Sequence, residues 1–135
     1  MAIRLPHMPG EQPAKRAANK FGAKRSRCQQ GHTHASIAEA RWCNNYTLLE
    51  RGGQIRHLEQ QPKYFFVSPD GRRAQKDNGQ PIRYTADFRF EERDKAGNWH
   101  PVVIDVKGHY RDDTWLLRRA FFRFFHPDID LREVS

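Results

Sequence analysis

The sequence lacks the features of a secreted or membrane-inserted protein. Its first ten residues contain no apolar segment of the kind found in a signal peptide, and no later apolar run is long enough to span a bilayer. Only two cysteines, Cys28 and Cys43, occur among 135 residues, which is too few for a disulfide framework. We therefore expect an intracellular protein, located in the cytoplasm and stabilised by an ordinary apolar core.

Acidic residues are scarce at the start of the chain. Residues 1–30 hold seven Lys and Arg residues against Glu11 alone, whereas residues 31–135 hold 17 against 15. A formal charge of +8 favours a polyanionic partner such as DNA. We predict a basic arm (1–30) followed by one domain (31–135), the arm being either a mobile tail or a segment that lies along phosphates. The arm's candidate DNA contacts are Lys15, Arg16, Lys20, Lys24, Arg25 and Arg27.

Hydrophobic periodicity predicts a mixed α/β domain. A capping box at Ser36 and Glu39 begins one helix, and the glycines after Arg51 end it. A second helix is expected over 113–126, stopped by Pro127. Strand patterns occupy roughly 54–60, 63–68, 82–91, 99–107 and 129–134, with a long polar turn over 68–81.

Charged residues interrupt the two apolar strands 82–91 and 99–107. Alternation places Ile82, Tyr84, Ala86, Phe88 and Phe90 on one face of the first strand, with Asp87 on the other; Asp105 and Lys107 share a face of the second.

A hairpin centred on Ala96 would set Asp87 opposite Asp105. Carboxylates so placed repel by about 4 kcal/mol at an effective dielectric near 20. A divalent cation between them would remove this repulsion. The alternative is ordinary salt bridging to Arg89 or Lys107.

This arrangement resembles the PD-(D/E)XK nuclease superfamily, whose core runs α-β-β-β-α-β with a central mixed sheet flanked by helices, the restriction-endonuclease-like fold. In that pattern an acid on the first helix precedes an Asp at a strand end and then a (D/E)-x-K motif. The corresponding residues here are Glu39, Asp87 and Asp105-Val106-Lys107. Ala86 stands where the pattern has proline.

The resemblance extends to a family of small phage proteins within the superfamily, over residues 19 to 127. The ordered motifs are NKFG (19–22), SIAEA (36–40), LEQQPKYF (58–65), YTADF (84–88) and DVKG (105–108). It implies a phage- or prophage-encoded protein acting in a bacterial host. Some superfamily members of this size resolve Holliday junctions.

The resemblance also implies roles for the site residues. Asp87, Asp105, Glu39 and the Val106 carbonyl would hold Mg²⁺, for which Mn²⁺ could substitute, and Lys107 would act on the attacking water and the phosphate. Glu39 has an alternative role as a helix-capping residue only.

The implied function is Mg²⁺-dependent hydrolysis of DNA, with branched DNA as the leading substrate, in phage recombination or packaging. A general or nicking endonuclease is one alternative. The other is a non-catalytic DNA-binding module on a nuclease fold.

The second helix carries a broad arc of apolar residues. A helical wheel places Arg118 inside that arc, facing either a structural acid or the active site, with Arg119 and Arg123 outward as solvated or phosphate-contacting residues. The arc itself predicts either a thickly buried helix or a homodimer contact, which a junction resolvase would need. Its members are Trp115, Leu117, Ala120, Phe121, Phe122, Phe124 and Phe125.

A zinc site is the remaining candidate. Cys28, His32 and His34, with Cys43 on the first helix, offer sulfur and nitrogen ligands. The C-x₃-H-x-H spacing lacks the usual paired arrangement, however, and the phage family has strand residues there. The sequence therefore disfavours zinc.

Overall fold

A computed structural model describes residues 24–107 and 112–135 of the chain. Three of the predicted DNA contacts, Lys15, Arg16 and Lys20, lie outside the described residues. Within the described ranges the order is β1 (Ser26–Arg27), β2 (Thr33–His34), α1 (Ile37–Arg51), β3 (Ile55–Gln60), β4 (Lys63–Phe65), β5 (Arg83–Thr85), β6 (Phe88–Arg93), β7 (Trp99–Val106), α2 (Asp113–Phe125) and β8 (Asp130–Val134). Neither helix in these ranges has the length and apolar character that crossing a membrane requires.

Helix α1 begins and ends as its sequence predicts. The Ser36 hydroxyl accepts a hydrogen bond from the Glu39 N–H at 3.1 Å, and Gly53 adopts the left-handed conformation (φ +76°) just beyond the last turn. The Glu39 carboxylate accepts from the Ala35 N–H at 3.3 Å, one residue before the position that a capping box uses. Glu39 is therefore a partial cap, which leaves its carboxylate available for other contacts.

The principal sheet has four strands in the order β3-β6-β7-β8. Strand β6 is antiparallel to both β3 and β7, while β7 and β8 are parallel. A parallel pair needs a long crossover, and α2 supplies it between β7 and β8. The predicted combination of two helices and a mixed sheet is confirmed.

Two apolar cores lie on opposite faces of this sheet. Phe88 and Ile104 pack in the core beneath α1, together with Tyr46 from that helix. Val103 packs with Trp115 and Phe122 in the core beneath α2. The helices therefore lie on opposite faces of one sheet, in three layers.

The prediction of one continuous strand over 82–91 is wrong. Residues Arg83–Thr85 pair with β4 in a separate two-stranded sheet, and the chain enters the principal sheet only at Phe88. Tyr84 consequently lies in the core under α2, whereas Phe88 lies in the core under α1. The Ala86 N–H donates to the Pro62 carbonyl at 3.1 Å, a contact from another part of the chain that local alternation does not encode.

Residues 26–34 form a hairpin, β1–β2, that packs on α1. The last residues of the predicted arm belong to this hairpin, so the folded domain extends to Ser26.

The orientation of α2 differs from the predicted wheel. Trp115 and Phe122, two turns apart, are its buried residues, while Leu117 and Phe124 are 59% and 78% exposed. Arg118 is exposed, so its predicted burial is wrong. The predicted thick burial of the whole arc is also wrong, because the sheet covers only the side through Trp115 and Phe122.

The two other arginines of α2 are engaged with β8. Arg119, predicted to point outward, is half-buried and pairs with Glu133 at 2.5 Å. The Arg123 guanidinium is exposed but donates to the Leu131 carbonyl at 3.3 Å. Both contacts join α2 to β8.

Replacing Ser36 by alanine tests the start of α1. Because the Ser36 hydroxyl satisfies an N–H of the first turn, Ser36→Ala should lower the free energy of unfolding by about 1 kcal/mol. Urea denaturation followed by circular dichroism measures this. Ser36→Asp, which keeps a side-chain acceptor, should remain near the wild type; equal losses in both variants would contradict the capping role.

Candidate active site

The β6–β7 register brings the two aspartates together. Phe88 lies opposite Ile104 and Arg93 opposite Trp99, which is the predicted pairing. Asp87 immediately precedes β6, and its N–H donates to the Ile104 carbonyl at 3.0 Å. Asp87 therefore extends the ladder to the position beside Asp105, where facing side chains have Cβ atoms ~5 Å apart.

The backbone of Asp87 is held from a second side by the corner between β3 and β4. The Gln61 N–H donates to the Asp87 carbonyl at 3.0 Å, with Gln61 in the left-handed region at φ +49°. A non-glycine residue there costs about 1–3 kcal/mol, so other contacts must stabilise the corner. The Asp87 carboxylate also accepts from the Val106 N–H at 2.6 Å, which fixes it beside β7.

Asp105 is a buried carboxylate, only 4% exposed. One oxygen, Oδ1, lies 2.9 Å from Lys107 Nζ, and the other, Oδ2, accepts from the Tyr84 hydroxyl at 2.5 Å. A buried ion needs such partners to offset desolvation. The sequence predicts Tyr84 on the apolar face of its strand and gives it no polar role. Its position in YTADF, three residues before Asp87, is the signal that could have linked it to the site.

Lys107 lies between β7 and α2. Besides its pair with Asp105, its Nζ is 3.8 Å from the centroid of the Trp115 ring. A cation over an indole face is attracted by the ring quadrupole. Helix α2 thereby fixes the direction of the lysine from its first turn.

Glu39 contributes to the same electrostatic environment from α1. Burial raises the pKa of its carboxyl; the Asp105 charge raises it further, while the Ala35 N–H and Lys107 act in the opposite direction. Burial also raises the pKa of Asp87 to about 7, and Glu39 and Asp105 add to that shift. Three carboxylates therefore share a site whose neighbouring cation is Lys107.

This donor set fits a hard divalent cation. Carboxylate oxygens are the ligands that Mg²⁺ and Mn²⁺ prefer, and a divalent charge would offset the burial and the carboxylate repulsion that together raise the pKa of Asp87. Val106 is half-buried and touches Asp87 through its N–H; the metal contact from its carbonyl, which the sequence resemblance implies, stays a prediction.

The basic residues predicted to contact DNA are distributed over two surfaces. Lys24, Arg25 and Arg27 are exposed at the hairpin β1–β2. Arg118 is exposed on α2, where it lines a recess together with Lys76, Gln80, Pro81, Ile82, Arg83 and Thr85.

The fold also brings together the four residues of the zinc candidate. The ligand atoms of Cys28, His32, His34 and Cys43 all lie within 4.8 Å of one another. Burial and a hydrogen bond to Cys28 raise the pKa of Cys43 to about 11. The unusual spacing of these residues in the sequence does not prevent the cluster, because the β1–β2 hairpin folds Cys28 back beside His32 and His34.

The variant Asp87→Asn tests whether the charge of the Asp87 carboxylate destabilises the folded protein. The folded pKa of Asp87, about 7, lies above the ~3.9 of an unfolded aspartate. Between these two pH values the folded state therefore binds more protons than the unfolded state. As the pH rises through this window, ionisation of the Asp87 carboxyl progressively lowers the free energy of unfolding. Without added magnesium, Asp87→Asn should exceed the wild type in free energy of unfolding at pH 8 by up to about 4 kcal/mol, and so in Tm, and this advantage should disappear toward pH 4.

Differential scanning calorimetry over this pH range measures the effect. Asp94→Asn is the matched control, because hydrogen bonds from His100 and the Asn98 N–H lower the pKa of that carboxyl. The control should give no increase in Tm at pH 8. A wild type as stable as Asp87→Asn at pH 8 would show that the ionised Asp87 carboxylate does not destabilise the folded protein.

Comparison with known proteins gives one match. No curated protein and no solved structure shows significant similarity to the chain. A family model described as "Protein of unknown function (DUF1064)" matches residues 18–134, which include both helices and the whole carboxylate site. The chain belongs to the DUF1064 family.

Proposed function

We propose that this protein is a Mg²⁺-dependent endonuclease of the PD-(D/E)XK type that hydrolyses phosphodiester bonds in DNA, with branched DNA as its substrate. The observation that carries the proposal is the convergence of Asp87, Asp105 and Lys107 at the adjoining ends of β6 and β7, with Glu39 contributed by α1.

The order of elements supports the proposal. Leaving aside the hairpin β1–β2 and the small sheet of β4 and β5, the chain runs α1-β3-β6-β7-α2-β8. This is the α-β-β-β-α-β order of a restriction-endonuclease-like core. Its acids occur on the first helix, at the start of β6 and near the end of β7, as that pattern requires.

The metal ligands would be Asp87, Asp105 and Glu39, with the Val106 carbonyl. When bound, Mg²⁺ supplies a Lewis acid for the phosphate and lowers the pKa of a bound water. Both oxygens of Asp105 already have donors in Lys107 and Tyr84, but a carboxylate oxygen has two lone pairs and can accept from more than one partner.

Lys107 would act directly on the reacting groups. Its ammonium, restrained by Asp105 and Trp115, donates to the attacking water and to the negative charge that develops on the phosphate. The water oxygen forms a bond to phosphorus as a P–O bond to the sugar breaks. The water loses one proton to solvent, and the leaving sugar oxygen gains one.

The surface charges fit a nucleic-acid substrate. The exposed Lys24, Arg25 and Arg27 at the hairpin, and Arg118 at the basic recess, offer contacts to phosphates outside the cleavage site. Their contribution to binding would fall as salt is raised.

A second copy of the chain is the partner that junction cleavage requires. A four-way junction presents two equivalent strands, and two active sites would cut them as a pair. Leu117, Phe121 and Phe124 on α2 are 59%, 46% and 78% exposed, which supports an apolar contact between copies. The chain would act in the cytoplasm of a bacterial host, encoded by a phage or prophage.

Cleavage of labelled four-way junction, flap, duplex and single-stranded DNA in Mg²⁺ tests the proposal. Asp105→Asn and Lys107→Met should each lower the cleavage rate by at least about 100-fold, because they remove a metal ligand and the cation acting on the phosphate. Asp94→Asn and Lys95→Met, an exposed acid–lysine pair in the β6–β7 turn, are the matched controls and should cleave normally.

Circular dichroism should first show that all four variants are folded. Paired, symmetric nicks in the junction alone support a resolvase; cleavage of every substrate retains the nuclease and removes the branched-DNA preference. Junction binding without cleavage by the wild type would replace the nuclease with a non-catalytic DNA-binding module.

Tyr84→Phe tests the hydrogen bond that orients Asp105. Removing the hydroxyl leaves the ring packed but one carboxylate oxygen without its donor, so metal affinity or cleavage should fall by about 10- to 100-fold. The Mg²⁺ concentration giving half-maximal cleavage distinguishes weaker binding from slower chemistry. Tyr64→Phe, the adjacent stacked tyrosine, is the control; equal effects in both variants would reduce Tyr84 to a packing residue.

A further inference from the structure

We propose that Cys28, His32, His34 and Cys43 bind one Zn²⁺ ion, forming a structural site separate from the carboxylate cluster. The inference goes beyond the nuclease function and does not depend on it.

The hairpin brings three of these residues, Cys28, His32 and His34, together. The Cys28 N–H donates to the His32 carbonyl at 3.0 Å, and the Gly31 N–H donates to the Cys28 carbonyl at 3.0 Å, which closes the turn. Gly31, at φ +87°, permits this tight geometry. His34, in β2, is two residues beyond His32, and the centroids of the two rings lie 6.1 Å apart.

Helix α1 supplies the fourth residue. Cys43 is fully buried, at 0% exposure, on the face of α1 against which β1 and β2 pack. The Gln29 N–H donates to the side-chain oxygen of Asn44 at 2.8 Å, which holds the turn against the helix. Ligands from the hairpin and the helix therefore meet in their interface.

The distances suit tetrahedral zinc. Bonds of about 2.3 Å to sulfur and about 2.0 Å to nitrogen imply about 3.3–3.8 Å between ligand atoms. Cys43 Sγ and His32 Nδ1 are already 3.5 Å apart, and the ligand atoms of all four residues lie within 4.8 Å. Side-chain rotations that bring the most distant ligand atoms about 1 Å closer together would give tetrahedral distances.

Burial provides an independent observation. His34 is 5% exposed, and its Nε2 atom meets no hydrogen-bond partner within the described part of the chain. A buried polar atom left in this state costs about 1–3 kcal/mol, and a metal ion would satisfy a ring nitrogen in this position. A disulfide between Cys28 and Cys43 would consume both thiols and leave the two histidines unexplained.

One neighbour of the cluster makes an outer contact to a proposed ligand. The Gln60 side-chain amide donates to Cys43 Sγ at 3.4 Å, the kind of outer contact that orients a metal ligand. Sulfur and nitrogen donors select zinc rather than the Mg²⁺ favoured by carboxylates.

The proposed ion would secure the hairpin. Strands β1 and β2 have two residues each, and so short a hairpin has little stability of its own. Four protein ligands leave no open position, which is the arrangement of a structural rather than a catalytic zinc. The ion would join the hairpin to α1, the helix that carries Glu39.

Metal analysis of the purified full-length chain tests the inference. After expression with added zinc and dialysis against metal-free buffer, mass spectrometry of the metals should find one zinc per chain. Cys43→Ser and His34→Ala should each lose it, while His100→Ala and Asp105→Asn should keep it. His100 is an exposed histidine outside the cluster, and Asp105 belongs to the carboxylate site.

Cobalt gives a second readout that does not depend on stability. Refolding the wild type with Co²⁺ in place of zinc should produce the intense visible absorption of a tetrahedral site and the sulfur-to-metal charge-transfer band. Both should be absent from Cys28→Ser and present in Asp105→Asn.

Three results would overturn the inference. The first is zinc that persists in Cys43→Ser and disappears in Asp105→Asn, which would place the ion on the carboxylates. The second is a metal-free protein with two thiols that react under native conditions. The third is a metal-free protein whose thiols appear only after reduction, which would indicate a Cys28–Cys43 disulfide.

Discussion

The antiparallel pairing of β6 with β7 is the interaction on which the site depends. It sets Asp87 beside Asp105, and the alternation of β7 then places Lys107 on the same side as Asp105. A shift of one residue would turn these groups toward the core beneath α1. The apolar residues Phe88 and Ile104 oppose such a shift, because they would have to leave that core.

The same site concentrates groups that are unfavourable without a cation. Asp105 is buried and satisfied by Tyr84 and Lys107, whereas Asp87 and Glu39 have raised pKa values. The left-handed Gln61 adds backbone strain at the corner that holds Asp87. Interactions that cost stability are characteristic of functional sites. Packing elsewhere in the protein must offset their cost.

Two different donor sets draw on the first two turns of α1. The first turn contributes the Glu39 carboxylate to an oxygen-rich cluster, and Cys43, one turn later, contributes sulfur to a set containing His32 and His34. Hard and soft donors select different metals, so the two proposed sites would take different ions. The helix is thereby a common support for the hairpin and the carboxylate site.

Local sequence determined both helices, their ends, the β6–β7 register and hence the approach of Asp87 to Asp105 and Lys107. These depend on capping residues, periodicity and a short turn, all of which act over a few positions. Tertiary contacts alone decided the break before Phe88, the exposure of Arg118, the hydrogen bond from Tyr84 to Asp105 and the assembly of the cysteine–histidine cluster. Each of these features depends on contacts between segments that are distant in the chain. A periodic pattern carries no information about which distant segment will cover a given face.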